Sequence, residues 1–141
     1  MTDAEQNLSR VVPFLLAILV CDAGTVEPSS GKKTLVGIFD KVITDKFPTN
    51  RQCTLYFKIT DAQGKYIFRI EYAQANTGAK LVEATSEVLF IENRLKTADF
   101  MLGFPPISIP DAGQYEFRLY ANDMYLGRAV ITAEKRHEVK T

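Results

Sequence analysis

Few side chains in this chain could do chemistry, and their spacing matches no catalytic or cofactor motif. The one histidine, His137, stands in the polar stretch Lys135-Arg136-His137-Glu138, with no serine or cysteine nucleophile in a recognisable motif around it. Nucleophilic hydrolysis needs an imidazole held beside its nucleophile by a third group, so His137 is expected to be a solvated tail residue. Gly31-Lys32 ends like a phosphate-binding loop, but six residues separate Gly24 from Gly31 where that loop has four, and no strand-to-helix pattern surrounds it. Asp40, Asp45 and Asp61 have the hard oxygen ligands a calcium ion wants, in no spacing that forms a loop around one. The same acids have no feature fixing the separation that glycoside hydrolysis requires. With no tryptophan in the chain, only Tyr56, Tyr120 or Tyr125 could offer a flat platform to a sugar. The expectation is a protein that is not an enzyme and takes no cofactor or metal.

Two cysteines, Cys21 and Cys53, are too few for the disulfide framework of a small secreted scaffold or for four soft zinc ligands. Each lies in an alternating apolar segment, where a cysteine acts as a small buried hydrophobe, and both are expected to be free. A bridge between them would require neighbouring strands with Cα atoms within about 7 Å.

Composition bounds the elements that must position these residues. A chain of 141 residues, 46% hydrophobic and 24% charged, has enough apolar surface for its own core and lies outside the disordered regime. Seventeen basic residues balance seventeen acidic ones, so the whole-chain field attracts neither nucleic acid nor an anionic membrane.

Apolar and polar residues alternate at period two in segment after segment, the mark of half-buried strands. Thr34–Ile43 reads as one strand, Cys53–Thr60 as another, and Phe68, Ile70 and Tyr72 as the inner side of a third. Asp61-Ala62-Gln63-Gly64 reads as the tight turn of a hairpin joining those last two. Asn76-Thr77-Gly78 is the next turn, Lys80–Ile91 a strand broken near Ala84–Glu87, and Asn93–Thr97 a loop. Asn122-Asp123 joins a final hairpin of Tyr115–Ala121 and Tyr125–Ala133, because both residues tolerate the positive φ of a two-residue turn. Seven or eight strands and scarce helical periodicity predict an all-β antiparallel sandwich at residues 11–135, with an extension at 1–10 and a tail at 136–141.

The run Val11–Val20 before Cys21 has two readings. It could be a signal core ending at a lipid-modifiable cysteine, or a first strand buried on both faces and stopped by Asp22-Ala23-Gly24. Asp3 and Glu5 precede it with one basic residue, Arg10, and Val20 stands where lipoprotein processing wants a small residue. About ten apolar residues fall short of the ~20 of a membrane-spanning helix. The strand reading is the expectation, and with it a cytoplasmic protein; an exported lipoprotein is the alternative.

Phe100-Met101-Leu102-Gly103-Phe104-Pro105-Pro106 is apolar but interrupted by proline, which predicts an edge strand, a crossover or a loop. Phe100, Met101, Leu102 and Phe104 therefore either cap the core or offer a contact surface to a partner.

Asp111-Ala112-Gly113-Gln114-Tyr115-Glu116-Phe117 is similar to the D-x-G-x-Y-x-C stretch of immunoglobulin domains, whose tyrosine hydroxyl bonds back to the chain at a sheet-to-sheet corner. Phe117 replaces the cysteine of that pattern. The resemblance implies an immunoglobulin-like antiparallel β-sandwich with a structural corner at Asp111, Gly113 and Tyr115. More widely, an apolar strand ending in Cys21-Asp22, then Gly37-Ile38-Phe39-Asp40, Phe47-Pro48 and Pro110–Tyr115, resembles a family of small, uncharacterised bacterial proteins classed as a domain of unknown function. That resemblance spans roughly residues 12–133 and implies a bacterial, cytoplasmic β-sandwich without assigned site residues. The functional expectation is a protein-binding or assembly module, with a protein partner or self-association, no nucleic acid and no membrane span.

Overall fold

The computed structural model describes residues 7–137. The expected ends at 1–6 and 138–141 lie outside the described residues. The strand at Thr54–Thr60, β5, sets the plan: Leu55, Phe57 and Ile59 are buried on one side, while Thr54, Tyr56, Lys58 and Thr60 stand half-exposed on the other. Antiparallel β1 (Phe14–Val26) and β10 (Ala98–Gly103) flank it, and β2 (Lys33–Ile38) pairs with the far side of β1.

The opposing sheet runs β3 (Lys41–Thr44), β13 (Met124–Lys135), β12 (Gly113–Ala121), β7 (Phe68–Gln74) and β8 (Lys80–Thr85). Its pairs are antiparallel except β3–β13. Two short pairs close the ends: β4 (Thr49–Arg51) with β11 (Ile107–Ile109), and β6 (Gly64–Tyr66) with β9 (Leu89–Ile91). The fold is an all-β sandwich.

Its core is the apolar side of each sheet pressed on the other. Phe57 and Phe100 of one sheet meet Phe68 of the other, with ring centroids 5.1 to 5.3 Å apart. Tyr72 stacks on Tyr115 at 5.7 Å, and its hydroxyl donates to the Ser108 carbonyl at 2.9 Å. Buried tyrosines thus keep their apolar bodies inside while each polar tip finds a partner.

The structure revises several boundaries. Thirteen strands replace seven or eight among the described residues, because three- and four-residue strands are too short to show periodicity. The stretch Thr34–Ile43 is two strands in different sheets, with Phe39 and Asp40 crossing between them. β1 runs through Asp22 to Val26, and its pairing with β2 continues as far as Val26↔Lys33. The turn is accordingly Glu27–Lys32, closed by the Glu27 amide donating to the Lys32 carbonyl at 2.8 Å. β1 is not buried on both faces either: Phe14 and Leu16 are exposed.

The expected β5–β7 hairpin does not form. β5 and β7 lie in opposite sheets and face each other through Phe57 and Phe68. Asp61, at a φ of 59°, and Gly64, at 110°, turn the chain across the end of the sandwich, where β6 pairs with β9. Leu8 and Ser9, placed in an extension, are tied to the body: Leu8 bridges to Lys65, and the Ser9 amide donates to the Lys65 carbonyl at 2.9 Å.

Candidate interaction surface

Of the four residues named as a core cap or contact surface, Phe100, Met101 and Leu102 lie in β10 and Phe104 follows its end. Phe100 and Leu102 on β10 pair with Phe57 and Leu55 and pack against the core. Phe104 is buried. Met101 points to the opposite side, beside Gly24, where an added Cβ would overlap its sulfur. A strand with apolar residues on both faces tucks one set into the core and covers the other with the β1–β2 ribbon. Lys33 of that ribbon reaches Asp99 at 2.5 Å, and the Tyr56 hydroxyl donates to the same carboxylate at 3.0 Å. Burial acts to raise the Asp99 carboxyl, but these two hydrogen bonds together with the positive charges of Lys33 and Lys58 hold it below the usual aspartate range.

Phe100 nevertheless borders a recess. A cleft of about 670 Å³ opens between β9 and β10, its apolar lining including Phe90, Ile91, Ala98 and Phe100 and its polar lining Glu92 and Lys96. Two large apolar side chains stand out of the same segment, Phe90 at 68% and Leu95 at 89% exposure. Sequence reading missed both. Phe90 fell within the stretch read as the strand Lys80–Ile91, and Leu95 within the Asn93–Thr97 loop. The Asn93 side chain holds this loop by accepting from the Leu95 amide at 2.9 Å, and the Arg94 carbonyl accepts from the Asp61 amide at 3.2 Å.

The outer face of the five-stranded sheet is a rival surface by charge, but its charges are already engaged. Glu116, nearly buried, accepts from Arg118 Nε at 2.6 Å and from Arg128 at 2.7 Å. Arg69 pairs with Glu71 and Asp123 and stacks over Tyr120, its guanidinium 4.3 Å from the ring centroid. Lys80 pairs with Glu83 at 2.5 Å. Such a self-satisfied ladder fixes the sheet and leaves little unmet charge to recruit a ligand.

The remaining sequence candidates are dispersed. The Tyr115 hydroxyl donates to the Asp111 carbonyl at 2.7 Å and accepts from the Asp111 amide at 3.1 Å, while Gly113 sits at a φ of 139°. His137 is exposed, beside Asp45 and Arg136. Among the described residues no three His, Cys, Asp or Glu side chains gather as they would around a metal ion.

Cys21 and Cys53 are free and buried. Burial pushes both thiols up, Cys53 to about 11. At pH 8 about one Cys53 in a thousand is then a thiolate, the form that reacts. Iodoacetamide at that pH is expected to leave the native protein unmodified by intact mass, and to add two groups once it is unfolded in guanidinium. Comparable labelling rates in the two states would contradict the burial of these thiols.

Residues 16–134 match a family of unknown function, DUF6941. No curated protein matches the chain. Among solved structures, the chain is similar to the C-terminal domain of Wzt, with a TM-score of 0.50 and 13% identity, covering 93% of this chain and 78% of that one. It is also similar to part of the alkylpurine DNA glycosylase AlkC of Pseudomonas fluorescens, solved with DNA containing an abasic site analog. There the TM-score is 0.47 and the identity 10%, over 89% of this chain and 31% of that one. At such identities the likeness concerns fold alone.

Proposed function

The chain belongs to DUF6941, a family of unknown function, and on that premise we propose that it is a non-enzymatic protein-binding or assembly module. The observation that carries this reading is the β9–β10 cleft with Phe90 and Leu95 standing exposed beside it. Exposing a large apolar side chain forgoes roughly 1.5–3 kcal/mol of burial, and a recess with apolar projections on its rim is the form an interaction site takes.

We place the module in a bacterial cytoplasm. In support, β1 is an inner strand whose residues Phe14–Val20 pair with β5, and Cys21 is fully buried within it. Processing at Cys21 would remove that pairing and require the thiol at the surface. Among the described residues no helix is long and apolar enough to cross a membrane. The Asp111–Tyr115 hydrogen bonds support an immunoglobulin-like reading of the sandwich.

Affinity isolation from native lysate, with light scattering on the purified chain, tests the proposal. The wild type is expected to retain a reproducible partner or to self-associate, and Phe90→Glu is expected to lose it without losing the fold. A monomer that captures nothing reproducibly would end this reading.

A further inference from the structure

We propose that the face around the β9–β10 cleft is a two-fold interface between two copies of this chain, with Leu95 of each copy seated in the cleft of the other. The inference rests on the binding-module reading and names its partner.

A two-fold contact uses one patch twice, so the patch must carry both a projection and a recess that receives it. Both are present within one short segment. Leu95, 89% exposed, projects from the loop, and the cleft of about 670 Å³ adjoins it, lined by Phe90, Ile91, Ala98 and Phe100. A leucine side chain fits such a recess with room for part of its neighbours, and symmetry buries it twice.

Charge favours a copy over a partner of one sign. Residues 86–97 contain two acids, Glu87 and Glu92, and two bases, Arg94 and Lys96. None of the four is in an ion pair among the described residues. A surface that selects an acidic or basic partner carries an excess of the opposite charge. This one sums to zero and does not repel its own image. Glu92 and Lys96 both line the cleft, so a two-fold axis through it can set Glu92 of one copy against Lys96 of the other, twice.

The backbone is open to the approach as well. Among the described residues β10 is an edge strand paired with β5 alone, and β9 pairs with β6 alone. The device that commonly guards an edge is a charge projecting from it. On β10 that charge is Asp99, and Lys33 and the Tyr56 hydroxyl already hold it.

Light scattering coupled to gel filtration on the full chain, from roughly 1 to 200 μM, reads the result as mass. The expected wild-type mass is close to twice 15.8 kDa at the upper concentrations. Leu95→Glu is expected to give the monomer mass with circular dichroism unchanged, since Leu95 is outside the core, and a melting temperature that no longer rises with concentration as that of the dimeric wild type does. Glu92→Lys and Lys96→Glu are each expected to weaken dimerisation at least about ten-fold alone and to recover it when mixed one to one, because the mixture restores opposite charges across the axis. A wild-type monomer throughout overturns the dimer, as does a dimer that Leu95→Glu leaves intact. If the monomer still retains a partner through Phe90, the binding-module reading survives and only the second copy is excluded.

Discussion

Replacing Phe57 with alanine is expected to lower the unfolding free energy by about 3–5 kcal/mol, the range for truncating a buried phenylalanine. Phe57 is 1% exposed, and its ring lies 5.2 Å from Phe68 and 5.1 Å from Phe100, so it joins both sheets at the centre of the sandwich. Neighbours held in two facing sheets cannot close fully over the vacated volume, and the cavity adds to the lost transfer free energy. On the next residue of the same strand Lys58 faces outward, and Lys58→Ala is expected to change stability by less than about 0.5 kcal/mol. Guanidinium unfolding of the two variants measures the difference. Similar midpoints for both would mean that β5 does not present alternate faces to core and solvent.

The second large effect is expected at Asn122. Its side-chain oxygen accepts from the Ile67 amide at 2.8 Å, and its nitrogen donates to the carbonyls of Ser9 and Lys65, each at 2.9 Å. One side chain thus fastens the entering chain, the β6–β7 junction and the last hairpin. Its φ of 48°, followed by 65° at Asp123, is the left-handed geometry of a two-residue turn. Asn122→Ala removes three hydrogen bonds, takes from the Ile67 amide and the Ser9 carbonyl the partner that Asn122 supplies, and puts a residue without local polar compensation in that conformation. The expected loss is about 2–4 kcal/mol. Asn122→Gly loses the same bonds but none of the conformational freedom, so its stability is expected to fall between alanine and wild type. Thermal melts of the three proteins give the order. An alanine variant as stable as the glycine variant would remove the conformational part of this account.

The Asn122-Asp123 turn was legible from residue types because its requirement is local: two residues at positive φ between alternating strands. The β7–β8 hairpin around Asn76-Thr77-Gly78 was legible for the same reason. Asp61-Ala62-Gln63-Gly64 carries equally good turn residues, yet it links opposite sheets. Alternation in β5 and β7 says that each has an apolar side. It does not say whether those sides lie edge to edge in one sheet or face to face across the core. Only the packing of Phe57 on Phe68 decides between them.

The interaction surface shows the same division. The sequence alone determined the all-β class, the last hairpin and the lack of any recognisable catalytic motif, since these follow from period, turn chemistry and residue type. It left Phe100–Phe104 between capping the core and meeting a partner, because apolar residues near proline need not reach a core. The tertiary structure decided between the two: β5 draws Phe100 and Leu102 inward, and the β1–β2 ribbon covers Met101. Phe90 and Leu95 are the most exposed of the large apolar side chains among the described residues, and they stand beside two strand edges that nothing within the chain pairs among the described residues. Exposure is a property of what the rest of the chain leaves unfilled, and a residue's own type and spacing do not contain it.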